Sequence, residues 1–80
     1  MNRFKLYSEV QLAQNLPDSA FIKGDVATLV DIVEKNGKKG YCLEFFDNHG
    51  NTLDVIVVEE EAIQEPFDHA VVHYREYIQS

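Results

Sequence analysis

The first patterned stretch of the chain is residues 7–13, where Val10 and Leu12 fall on one side and Glu9 and Gln11 on the other. That period of two marks a half-buried strand. Residues 15–25 carry Pro17 and Gly24 and predict a long loop with Leu16, Phe21 and Ile22 turned inward. Residues 26–33 are dense in β-branched side chains, which pack well on a pleated surface and lose rotamer freedom in a helix, so a second strand is predicted there. Asn36-Gly37-Lys38-Lys39-Gly40 supplies residues tolerant of positive φ, and an aromatic-rich strand follows over 41–46, which makes an antiparallel hairpin. The turn from Asp47 to Asn51, with Gly50 as its left-handed residue, leads into a strand over 53–58 and completes a three-stranded meander. Beyond it, Glu59-Glu60-Glu61-Ala62 suits a single helical turn and residues 63–65 a short last strand. After Pro66, the residues Phe67, Ala70, Val71, Tyr74 and Ile78 recur at helical spacing and predict a terminal helix over about 66–79.

The pleat divides these strands into two faces. One register gathers Val26, Val30, Ile32, Tyr41, Leu43, Phe45, Leu53, Val55 and Val57, and this is the expected core. The other carries Asp31, Glu44 and Asp54 together with Leu29, Val33, Phe46 and Ile56, too many large apolar groups to leave in water. The terminal helix is the expected cover, held by roughly 1.5 to 3 kcal/mol for each large side chain it buries. A homodimer contact is the rival cover. The fold class expected is mainly β: a small antiparallel β-barrel over residues 5–66 with a C-terminal α-helix over 67–80, forming a single domain because 80 residues support only one core.

Apolar residues make up 45% of the chain, which separates it from the weakly hydrophobic, highly charged composition of disordered segments. The net charge of −7, with no basic cluster beyond Lys38-Lys39, argues against nucleic acid, whose binding needs several convergent cations. The same charge favours encounter with a basic protein partner. Cys42 is the single cysteine, so no intrachain disulfide forms, and Met1-Asn2-Arg3-Phe4-Lys5 lacks the apolar core of a signal peptide; a reducing cytoplasm is the expected compartment. The longest wholly apolar run, Val55 to Val58, has four residues against the ~20 that cross a bilayer as a helix, so no membrane is expected as a partner.

Leu16-Pro17, the run from Ile22-Lys23-Gly24-Asp25-Val26 to Val33, Tyr41 to Asp47, and Gly50-Asn51-Thr52 together resemble a family of small bacterial domains of unknown function that look like SH3-type barrels. The resemblance covers about Lys5 to Pro66 and implies an SH3-like barrel without implying a role. Lys23-Gly24-Asp25-Val26 is also similar to the KOW motif of transcription and ribosomal proteins, whose RNA contacts the acidic balance opposes. The sequence departs from the family pattern at Ala27, where glycine is usual, and in the segment from Phe67 onward, which extends past the usual end.

Candidate chemistry is sparse. On a helix His69 and His73 share a face near Glu65 and Glu76, a spacing that suits zinc, but that face lies opposite the apolar stripe, where a solvated polar face belongs. Cys42 lies in a strand with no base identified beside it, His49 in a turn that favours polar residues, and Glu59 to Glu61 read as a solvated rim. No cofactor, metal or catalytic residue is therefore expected, and the chain reads as a non-catalytic protein-binding module. Its candidate contact residues are Tyr7, Phe21 and Phe46 with Asp18, Glu44 and Asp54 at the rim. An antitoxin or immunity-type protein, steered by its negative field to a basic effector, is one form of that reading. A structural homo-oligomer with no separate ligand is the alternative.

Overall fold

The computed structural model describes residues 4–66. The helix expected over 67–80 lies outside them. Five strands, β1 (Glu9–Leu12), β2 (Val26–Lys35), β3 (Lys38–Phe46), β4 (Thr52–Val58) and β5 (Ile63–Gln64), form one antiparallel sheet in the order β4-β3-β2-β1-β5, with a 3₁₀ turn at Glu60–Ala62 before β5. The expected barrel is corrected: among the described residues the sheet does not close, and β4 and β5 are its edges.

Turn chemistry explains the meander. Asn36 and Gly37 take φ of 53° and 79° between paired Lys35 and Lys38, the two-residue hairpin whose twist matches the flanking strands. At the next turn Asp47 accepts the N–H groups of His49 and Asn51, and Gly50 adopts φ 85°.

One face of the sheet holds the core. Val10, Leu12, Ala27, Leu29, Tyr41, Leu43, Phe45 and Ile63 are buried there, closed over by Phe4 and Phe21. Phe21 stacks on Phe45 with ring centroids 3.9 Å apart, and Phe4 meets Tyr41 edge-on at 5.8 Å. The loop before β2 is clasped from within: the buried Asp25 accepts the Ile22 N–H at 2.9 Å, Asn15 accepts that of Lys23 at 2.8 Å, and the Leu16 N–H donates to the Phe21 carbonyl. Lys23-Gly24-Asp25-Val26 is thus the end of a structural clasp. Of the three apolar loop residues expected inside, Phe21 is buried, Leu16 packs at the core's margin and Ile22 is exposed.

Two β-bulges reverse the expected faces. The β2–β3 pairing steps from Leu29↔Leu43 to Asp31↔Cys42, leaving Val30 as an extra residue, so that Leu29 and Ile32, three apart, both face the core. The β3–β4 pairing slips between Phe45 and Phe46, and Leu53 and Ile56, again three apart, pack inward. Leu29 and Ile56, expected outside, therefore belong to the core side. Val55 and Val57, expected in the core, are 50% and 56% exposed, and Val30 is only half-buried. Val26, Tyr41, Leu43 and Phe45 are buried as expected.

Candidate functional site

The bulges deliver an apolar strip to the outer face. Cross-strand partners share a face, so the register sets Val33 beside Gly40, Val57 beside Cys42 and Val55 beside Glu44. Gly40 lets the valines close over it: a Cβ built there would lie 2.8 Å from a methyl of Val57 and 3.0 Å from one of Val33. The strip Val33, Val55 and Val57 thus crosses from β2 to the edge strand, with Cys42 half-buried beside it. Toward Phe46 the face turns polar, where the Thr52 hydroxyl donates to the Glu44 carboxylate at 2.6 Å.

Among the described residues the outer edge of β4 pairs with no strand. In a two-residue hairpin Lys35 and Lys38 exchange backbone hydrogen bonds, and the alternation carried across β3 gives Tyr41 and Leu43 their bonds to Val58 and Ile56. Val55 and Val57 then turn their N–H and C=O groups away from β3. Independent evidence is the Val55 N–H, which donates to the Oδ1 of Asp54 at 2.8 Å. The same device recurs on the opposite margin of the meander, where the Ile32 N–H donates to the Oδ1 of Asp31 at 2.9 Å. Alongside β4 the loop residues Leu16–Pro17–Asp18–Ser19 wall an open groove whose floor is Asp54 to Val58; its described lining holds two carboxylates and no cation.

The six expected contact residues divide. Asp18 and Asp54 meet in this groove, and Glu44 and Phe46 lie on the adjoining outer face, Phe46 half-buried opposite Thr52. Phe21 is corrected from contact residue to core: its ring is 4% exposed because Phe45 stacks on it. Tyr7 is 75% exposed at φ 65°, but its N–H donates to Leu29 on the β1 side of β2, two strands away from β4. What the residue pattern missed was the exposure of Val55 and Val57, expected in the core, and the hold of Asp31 and Asp54 on the next residue's amide. Their one signal was an Asp directly before a strand residue on each margin of the meander.

Two further carboxylates, Asp47 and Glu60, have local partners. Hydrogen bonds from Asn51 and His49, opposed by partial desolvation, hold the Asp47 carboxyl below its ordinary value of 3.8. A second groove, between the β2–β3 hairpin and the 3₁₀ turn, is lined by Lys38 and Lys39 against Glu59 to Glu61; Glu60 accepts the Tyr41 hydroxyl at 2.8 Å, and Lys39 has partners of its own. Among the described residues no three His, Cys, Asp or Glu groups stand where they would hold a metal ion, and no helix is long and apolar enough to cross a membrane. Of the zinc-spaced residues only Glu65 lies within the described part.

The described residues form a small domain built on one antiparallel β-sheet whose edge strand β4 bears two exposed valines. The chain belongs to the family described as Domain of unknown function (DUF4926), whose pattern matches residues 6–65. No curated protein and no solved structure matches it.

Proposed function

We propose that the domain is a non-catalytic protein-binding module whose contact surface is the outer face and free edge of β4. The observation that carries this reading is the strip of Val33, Val55 and Val57, each between 42% and 56% exposed, beside backbone groups that turn away from β3. A folded monomer gains nothing from leaving three β-branched residues in water, and desolvating them favours association. The acidic charge of −7 supports a basic partner; an antitoxin or immunity-type role is the form in which such a field steers the domain onto a basic effector. A homo-oligomer that buries the same strip is the second reading, and the strip itself favours it.

A photo-crosslinking amino acid placed at Val57 in the producing cell separates the readings, with one at Lys35 on the hairpin tip as control. The expected result is an adduct with a different protein from position 57 alone, abolished by Val55→Lys. A self-adduct selects the homo-oligomer, and equal yields from both positions overturn the assignment of the surface.

A further inference from the structure

We propose that the free edge of β4 receives a basic, extended segment of the partner as a sixth strand, with Asp54 giving up the Val55 N–H to the incoming backbone and pairing instead with a cation on that segment. This rests on the binding-module reading and specifies its partner and mode.

The edge offers the right groups at the right spacing. Val55 and Val57 present N–H and C=O outward two residues apart, which is the repeat an antiparallel strand engages. Their side chains stand on the outer face, where alternate apolar residues of an added strand land next to them. The groove wall of Leu16, Pro17, Asp18 and Ser19 borders the edge on its other side.

The charge of the added strand follows from the cap. Asp54 accepts the Val55 N–H at 2.8 Å. A strand that supplies a carbonyl to that N–H releases a carboxylate, and Asp18 lines the same groove with a second one. Lysine or arginine on the segment compensates both. Glutamate or aspartate leaves like charges facing each other. A second copy of this chain is disfavoured on the same ground: β4 carries no cation to offer Asp54 and Asp18, and twofold pairing of β4 with itself joins chains that each carry −7.

The test uses the full chain and synthetic peptides matched to the seven residues of β4: alternating lysine and valine, alternating glutamate and valine, and the lysine peptide with a central proline. Amide exchange is followed residue by residue. The lysine peptide is expected to slow exchange at Val55 and Val57 by about tenfold or more while Ile56 and Val58, already bonded to β3, change little; the other two peptides are expected to do neither. Asp54→Asn is expected to weaken the lysine peptide by a factor of about two to five, as the loss of one exposed ion pair implies. Equal protection by the glutamate peptide, no protection at Val55 and Val57 by the lysine peptide, or protection that grows with protein concentration alone overturns the proposal. A hetero-adduct at Val57 in the cell beside unprotected edge amides leaves the binding module standing and removes strand addition.

Discussion

Phe21 and Phe45 join the loop to the sheet, and their contact is measurable. Both rings are buried, 3.9 Å apart and inclined by only 16°. Truncating either to alanine costs about 3–5 kcal/mol, which threatens a chain of 80 residues whose whole stability is about 4–12 kcal/mol. Leucine retains much of the apolar volume and is the better probe. Each of Phe21→Leu and Phe45→Leu is expected to cost about 1–2 kcal/mol for lost volume and a further 0.5–1.5 kcal/mol for the lost ring pair. Because the second amount is shared, the double variant should fall short of the sum of the singles by about 0.5–1.5 kcal/mol. Urea unfolding of the four proteins, with an unchanged slope, gives the cycle. Phe21→Leu should also speed exchange of the Leu16 amide, which donates to the Phe21 carbonyl at 3.1 Å and sits in the groove wall. Additivity within about 0.3 kcal/mol would falsify the claim that the stack anchors the loop.

Three further outcomes follow from the turns and the clasp. Asp25→Ala leaves the Ile22 N–H without its acceptor beside a buried site and should cost about 1–3 kcal/mol in thermal or urea unfolding, with no change in exposed-edge exchange at Val57. Gly37→Ala forces an L side chain to φ 79° and should cost about 1–2 kcal/mol; an unchanged midpoint would show that the turn relaxes freely. Asp47 titrates below 3.8 when folded, so its stabilisation is complete above that pH and fades as pH falls through the lowered folded value. Asp47→Ala should therefore be less stable than the parent at neutral pH, with the two melting curves converging in strong acid.

The strands, their order in the meander and both turns could be read from residue type alone, since Asn36-Gly37 and Asp47 to Asn51 punctuate runs of β-branched and aromatic residues. The faces could not. In residues 26–33 only Thr28 and Asp31 are polar, so alternation carries little information about which side is inside, and a bulge at Val30 leaves no mark in such a run. The same holds for Leu53 to Val58, where Asp54 alone interrupts the apolar residues. A strict period of two then assigns Val55 and Val57 to the core and Leu29 and Ile56 to the surface, inverted from their places. Phe21 was ambiguous for a different reason: burial of a loop aromatic depends on a partner distant in sequence, here Phe45.

The inversion gives the exposed edge its logic. An edge strand carrying two exposed valines and outward amides invites pairing with any other strand, its own copies first. Asp54 counters this twice, by occupying the Val55 N–H and by placing a charge that a second acidic chain repeats rather than neutralises. Asp31 does the same for the Ile32 N–H on the far margin of the meander, outside the groove walled by Leu16 to Ser19. Both caps occupy an outward amide, and the one at Asp54 also lies in the loop-walled groove beside the two most exposed valines of the strip. Under the strand-addition proposal, a cation on the incoming strand tips the balance, which makes charge the criterion of admission and the valines the source of affinity.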